Sequence, residues 1–542
     1  FALVRLGTLA PLELAPDEAY YHAWSRHPTT LSWLDHPPLV AWLLAPTPTA
    51  SAYPEWLRPY ASVGVRLPAA LCSAWTAFCI ALLAQPHLPQ TPSALGHRAP
   101  TDLKGRGSPS TDTASQEDAP PPHDRATPAN PPPPQHGATR LLDAMPIVWC
   151  AMALALTPGL GLGGLLATPD APLLACWATA SVALCRGWPW LLTGALALGL
   201  WAKLPMVLFI PAAWMGVLMG GVPRNQRRRW RVALMGGALA ALPLYAMAWS
   251  QGHLVAFHLA RHGGDLELSW TRPAGLLLGL LGLLTPVLGG AALGALGRGP
   301  IRCDPDDGMG EADGGRLRQR VMLWWLAALP LAIVWLGAWW VRVELNWWAI
   351  GMVALVPLVV VHHPPGPGWR PGWVWGSALV LGVMVWCGVA LAAWWPDGHG
   401  PRPVLARVEG WRGWCEQLKA TVAVNQRRGK AVLWATSRYQ EAAELAFWTG
   451  QPATTTRALM KHLGQAAPQV VDPGRRPSAF EAMPLDPDAL GVVVLVLDTA
   501  PGVALRSLGH YHEQARFRFE APPAWGREQS LVVVILERDQ ER

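Results

Sequence analysis

The charged residues of this chain are unevenly spread, and the long stretches they avoid constrain the fold more than any other feature. Of 542 residues, 51% are hydrophobic and 15% charged, against about 25% charged in an average soluble domain. Roughly 20 apolar residues at 1.5 Å rise cross the hydrocarbon layer, so apolar runs of 18 or more mark membrane helices. The 32 tryptophans fit the same reading, since indole rings favour the membrane interface. Spans are expected near 61–85, 141–162, 171–186, 232–250, 273–296, 321–341, 347–362 and 373–395, with two short spans over 189–220 interrupted near Lys203 and Pro205. The chain begins at Phe1, and FALVRLGTLA reads as the tail of a longer apolar helix, so the start of the first span is expected to be missing. The total is about eleven spans.

Between these spans lie three segments of different character. Residues 11–60 are polar and aromatic, with DEAYYHAWSRH and LDHPP. Residues 86–140 are rich in Pro, Ser, Thr, Asp and His. Such a segment buries too little apolar surface to offset its ordering entropy, and a disordered insertion is expected there. Residues 396–542 are polar enough for a soluble α/β domain. AVLWAT (431–436), GVVVLVLD (491–498) and LVVVILER (531–538) read as buried strands, and SRYQEAAELAFW (437–448) as a helix. The expected architecture is therefore mainly α, a polytopic membrane region over 1–395 followed by a small C-terminal α/β domain.

Loop charge orients the spans. Five arginines lie in 224–231 (Arg224, Arg227, Arg228, Arg229, Arg231) and five in 297–320 (Arg298, Arg302, Arg316, Arg318, Arg320). The intervening loops at 251–272 and 342–346 carry only Arg261, Arg272 and Arg342. The basic loops belong on the cytoplasmic side, which places 86–140 there too. The segment 11–60, the ATPDAP turn at 167–172, 251–272, 342–346 and the C-terminal domain then lie outside, on the periplasmic face of an inner membrane. This placement also explains the net charge of +7 without nucleic acid, for which no basic-aromatic stripe exists. The eight cysteines show no CxxC spacing or disulfide framework, and act as small packing residues.

Several residues stand out as carriers of chemistry. Asp17 and Glu18 are adjacent carboxylates in an aromatic segment with Tyr20 and Tyr21, near a proline-fixed knot, Asp35–His36–Pro37–Pro38. Apolar walls raise a carboxylate's proton affinity and suit it to act as a base; an ordinary interfacial acidic pair is the plainer reading. Asp170, in TPDAP, is both a candidate site residue and a natural helix-terminal carboxylate. Lys203 is the only lysine between residues 105 and 418, and it lies at a break between two short spans. A cation at membrane depth is costly and marks function by default, here a lipid-linked phosphate; snorkelling to an interface is the alternative. The 251–272 loop supplies His253, His258, Arg261 and His262. A divalent metal held by these histidines is a minor alternative to contact with phosphate or acceptor, because no fixed ligand spacing is present. Arg342, Glu344 and Asn346 sit at the mouth of a later span as a weaker group.

Taken in order, DEAYYHAWSRH (17–27), LDHPPLVAWL (34–43), VRLPAAL (65–71), ATPDAPLLACWA (167–178), GLWAKLPMVLFIP (199–211), LNWWA (345–349) and ATSRYQEAAELAFW (435–448) resemble the GT-C class of membrane glycosyltransferases. The similar groups are the dolichyl-phosphate-mannose protein mannosyltransferases and their bacterial relatives, among them the aminoarabinose transferase that modifies lipid A. The resemblance implies a polyprenyl-phosphate sugar donor and an acceptor on the periplasmic or lumenal face: lipid A, another cell-surface glycan or a protein hydroxyl. It matches the family's essential external-loop aspartate to Asp17, its TPD aspartate to Asp170 and its lysine to Lys203. The 86–140 insertion and the short first span depart from the pattern.

The expected reaction is an inverting transfer by one displacement. Asp17 orients or deprotonates the acceptor hydroxyl, and Glu18 or Asp170 positions sugar or acceptor. Lys203, with Arg261 or Arg342, neutralises the phosphate. Tyr20, Tyr21, Asp35, His36 and His262 complete the expected binding set, with no cofactor. A lipid or glycolipid flippase is the rival from another class, and an inactive binding scaffold a third.

Overall fold

The computed structural model describes residues 2–30, 36–85, 157, 163–222, 226–250, 268–300, 311–363, 369–394, 410–424, 432–456, 458–459, 492–498, 507–508, 511–520 and 530–538. The expected insertion over 86–140, the expected span over 141–162 apart from Thr157, and most of the 251–272 loop fall outside them.

The chain enters through helices α1 (Ala2–Leu9), α2 (Pro16–Ser25) and α3 (Leu39–Leu44), so the polar aromatic segment is partly helical. Pro16 opens α2 at a position where its missing N–H costs nothing. The membrane region continues with α4 (Ala61–Ala84), α5 (Asp170–Arg186), α6 (Pro189–Ala202), α7 (Phe209–Leu218), α8 (Arg227–Ser250), α9 (Thr271–Leu284), α10 (Pro286–Gly297), α11 (Glu311–Gly337), α12 (Ala349–His362) and α13 (Trp369–Trp394). Among the described residues, four helical stretches are long and apolar enough to cross a membrane: Arg58–Ala84, Gly314–Gly337, Leu345–His362 and Gly372–Leu391. Large apolar side chains point outward from this region, Trp190, Leu278 and Met384 among them, as lipid-facing surfaces require. The chain is a multi-pass membrane protein.

Two breaks shape the bundle. Lys203 takes an extended backbone (φ −161°, ψ 142°) between α6 and a 3-10 turn at Leu204–Leu208, as the sequence leads one to expect. The segment 273–296, expected as one span, is instead two helices bent by 116°. The bend sits at Thr285, a β-branched residue held at φ 73°, a backbone state costly for such a side chain. Pro286 just after it prevents the helix from continuing through.

The C-terminal part begins with α14 (Trp411–Val424), followed by β1 (Val432–Thr436), α15 (Tyr439–Thr449), β2 (Ala453–Thr455), β3 (Val492–Asp498), β4 (Ser507–Leu508), β5 (Tyr511–Glu520) and β6 (Ser530–Arg538). They form one mixed sheet in the order β2-β1-β3-β6-β5-β4. β1 runs parallel to β2 and β3, while β3, β6 and β5 pair antiparallel. The three strands expected from continuous apolar runs are β1, β3 and β6. β5 escaped because its register alternates charged and aromatic residues, HEQARFRFE, as suits a sheet with one wet face.

The core does not stop at the boundary expected near 395. Ala19, Tyr20, Ala23 and Trp24 of α2 and Val40 and Leu44 of α3 share one buried cluster with residues of α14, α15, β1, β3 and β6. A continuous apolar core fixes the two parts against each other through close packing.

Candidate functional site

The N-terminus of α2 separates two carboxylates that look alike in sequence. Successive helix residues point about 100° apart, and here one faces out and its neighbour in. Asp17 is exposed, and its Oδ1 accepts a hydrogen bond of 3.2 Å from the Tyr439 hydroxyl of α15. Glu18 is fully buried. Its Oε2 reaches back to the Ala15 amide at 2.9 Å, closing the start of α2, and its Oε1 accepts from the Ala167 amide at 3.0 Å. Arg66 of α4 completes the shell, with Nη2 to Glu18 Oε2 at 2.7 Å and Nε to Oε1 at 3.0 Å. The remaining Arg66 donors go to the carbonyls of Leu9, Leu12 and Glu13. Glu18 therefore cannot touch a sugar or an acceptor. Its place is inside the scaffold, where it ties the first helices to the turn that carries Asp170.

That turn presents the second carboxylate group. Asp170 is the first residue of α5, behind Pro169. Its side chain turns toward Lys203, whose Nζ donates at 2.8 Å and 3.0 Å to the two carboxylate oxygens. Asn346, in the 3-10 turn before α12, donates from Nδ2 to Asp170 Oδ2 at 3.0 Å. Lys203 is 8% and Asp170 17% exposed at the side chain, so the cluster is sheltered but open on one side. An ammonium has three N–H donors; among the described residues, the hydrogen bonds of Lys203 Nζ go to the two Asp170 oxygens. At the break the backbone stays bonded, with the Lys203 N–H on Gly199 O at 3.0 Å and the Met206 N–H on Lys203 O at 3.1 Å, so the ammonium is the cation on offer there.

These groups converge on one end of the helical region. Arg66 lies 18 residues before the end of α4, about 27 Å along the axis. At that far end Arg186 donates to Leu82 O and Gln85 Oε1, and Gln319 to Leu83 O and Gln85 O. Arg298 meets His362 at 3.2 Å at the end of α12. The described ends of helices expected on the cytoplasmic side thus lie away from the Glu18 and Asp170 clusters.

The remaining expected residues divide. Tyr20 is 2% exposed and committed to packing, with its ring centroid 4.4 Å from that of Tyr439 and 5.1 Å from that of Trp24. Tyr21 and His36 are half-buried, with centroids 6.0 Å apart. Arg342 is exposed, four residues before Asn346. Asp35, Arg261 and His262, with His253 and His258, lie outside the described residues. Among the described residues, no three His, Cys, Asp or Glu side chains gather into a metal-binding group. Two contributors went unrecognised. Arg66 carried a usable signal, an arginine inside an apolar span. Tyr439 falls in the ATSRYQEAAELAFW segment, but nothing local points from it to Asp17, more than 400 residues away.

No protein-family model matches the chain, and no curated protein matches it. Among solved structures, the crystal structure of ArnT from Cupriavidus metallidurans bound to undecaprenyl phosphate is similar over 98% of this chain and 96% of that one, with a TM-score of 0.56 and 12% sequence identity. A likeness that spans both chains almost end to end at this identity is a likeness of fold, and it takes in both the helical region and the C-terminal sheet of this chain.

Proposed function

We propose that this chain is a membrane glycosyltransferase that takes a sugar from a polyprenyl-phosphate donor and passes it to a hydroxyl at the Asp170 end, on the periplasmic face. The observation that carries the reading is the Asp170–Lys203–Asn346 cluster, a sheltered cation held at a helix break at the same end as an exposed carboxylate. The donor class is taken from the undecaprenyl phosphate bound by the ArnT of similar fold. In the reaction, the acceptor oxygen attacks the anomeric carbon as the carbon–oxygen bond to phosphate breaks, with inversion. The acceptor proton passes to Asp17, and the phosphate leaves with the bonding pair, its charge met by Lys203. Asp170 and Asn346 hold that ammonium in place. Arg342, exposed four residues before Asn346, adds positive charge beside the cluster. Phosphate is already a good leaving group, so charge stabilisation outweighs proton donation. The acceptor is lipid A, another surface glycan or a protein hydroxyl.

The test is mass spectrometry of surface lipids and glycans from cells carrying the wild-type gene, the Asp17→Asn variant or neither. A sugar-bearing product in the first sample alone is expected. Undiminished product in the Asp17→Asn cells would remove that carboxylate from the reaction. A second reading, a lipid flippase, draws on the 116° bend at Thr285, since transporters use broken helices. It calls for lipid translocation in vesicles with no new glycan mass.

A further inference from the structure

The helix that reaches Asp17 belongs to the C-terminal sheet domain, and its start is unusually well fixed. The Thr436 hydroxyl at the end of β1 donates to the Arg438 carbonyl at 2.6 Å, setting the strand-to-helix turn from which Tyr439 emerges as the first residue of α15. The far end is held as firmly. Gly450 closes α15 at φ 67° against Ser51, leaving no room for a side chain. Lys419 caps Thr449 O at 3.2 Å. Along its length Ala442, Ala443, Leu445, Phe447 and Trp448 are buried in the core shared with α2. The Phe447 ring stands 5.0 Å from that of His22. With the helix pinned, the Tyr439 ring lies against Tyr20 and its hydroxyl meets Asp17 Oδ1.

Resting on the transferase reading above, we infer that Tyr439 is a positioning residue for Asp17, so the C-terminal domain supplies part of the reaction centre rather than only support. A carboxylate has two equivalent oxygens, and its rotation about the last side-chain bond is set by the groups that bond to it. A phenol donating to one of its oxygens fixes the carboxylate plane and so aims the other oxygen. A ring packed on Tyr20 has little freedom left to lose when it makes that bond, and this keeps the contact cheap to maintain. Misaiming a reacting group by a fraction of an ångström costs rate without loosening substrate binding.

The test compares wild-type and Tyr439→Phe protein in detergent or nanodiscs, with a polyprenyl-phosphate sugar as donor. Phenylalanine keeps the ring on Tyr20 and deletes only the hydroxyl. The expected result is a fall of about 10-fold in kcat with donor KM unchanged, since hydrogen bonds to charged groups lie in that range. A melting-temperature cycle with Asp17→Asn and Tyr439→Phe, singly and together, reads the contact without activity and should be non-additive. Unchanged kcat in Tyr439→Phe, or an additive cycle, would overturn the inference while leaving transfer by the wild type intact. A non-additive cycle in a wild-type protein that transfers no sugar would keep the Asp17–Tyr439 contact and overturn the transferase reading instead.

Discussion

Two ion pairs stand at the same end of this molecule and are built for different ends. In the Arg66–Glu18 pair the side chains are 3% and 0% exposed, and the carboxylate oxygens and guanidinium donors are all engaged, largely by backbone groups of two separate segments, 9–15 and the turn at Ala167. In the Lys203–Asp170 pair the side chains are 8% and 17% exposed, and among the described residues Asn346, on an exposed turn, is the one further side chain bonded to them. A closed shell holds chain segments together; an open one keeps a charge in reserve for something that arrives. The difference teaches that burial alone does not distinguish scaffold from site. The partners each pair already holds among the described residues are the better guide.

The largest expected effect breaks the closed pair. Removing one partner strands the other charge in a dry interior, at about 3–5 kcal/mol. Arg66→Met should therefore melt far below wild type or fail to assemble, as read by size-exclusion chromatography and thermal unfolding in detergent. Adding Glu18→Leu should rescue it only in part, because the carbonyls of Leu9, Leu12 and Glu13 and the amides of Ala15 and Ala167 still lose their partners. Breaking the open pair acts on rate instead. Asp170→Asn should lower transfer by about 10²–10³ with a smaller change in melting temperature, measured on the same preparations.

Acidity sharpens the contrast, because α2 and α15 carry two buried titrating groups, His22 and Glu444, the second within reach of the Glu18 and Arg66 charges. Burial, then the Arg26 charge, pulls the His22 imidazole down from 6.5 to about 4. Its contribution is complete above about 6.5 and is lost as pH falls through about 4, up to ~3 kcal/mol at about 1.36 kcal/mol per unit. Burial, then the nearby Glu13 charge, pushes the Glu444 carboxyl well above the carboxylate range. A raised acid contributes fully below its unfolded value, about 4.3, and its contribution is lost as pH rises through the folded value. Melting temperature against pH should therefore fall on both sides. His22→Gln should flatten the acidic side and Glu444→Gln the alkaline side; unchanged curves would mean that neither group titrates on unfolding. The smallest effect is expected from Asn346→Ala, about a 10-fold loss of transfer with an unaltered melting curve, since the amide only steadies Asp170.

The sequence announced this arrangement unevenly. Lys203 was legible because a lone cation in an apolar stretch, beside a proline, has few explanations, and the backbone does break there. Asp170 was legible as a residue but not in its partner, since nothing local links it to a lysine 33 positions on. The adjacent carboxylates were the hardest case. Asp17 and Glu18 differ by one methylene and one position, and only the helical rotation sends one to solvent and the other to Arg66. The span over 273–296 read as continuous because apolar periodicity carries no record of a φ of 73° at Thr285. Strands β1, β3 and β6 were visible as dense apolar runs, whereas the core shared by the sheet and α2 rests on long-range contacts that no local pattern encodes.

The central claim is that the open pair receives the donor phosphate. Native mass spectrometry of purified protein with undecaprenyl phosphate tests it most directly, comparing wild type, Lys203→Met and Asp17→Asn. The account expects the lipid to stay bound to wild type and Asp17→Asn and to be lost, by at least about 10-fold in affinity, from Lys203→Met, in line with a lost charged hydrogen bond. Equal retention by folded Lys203→Met protein would contradict it.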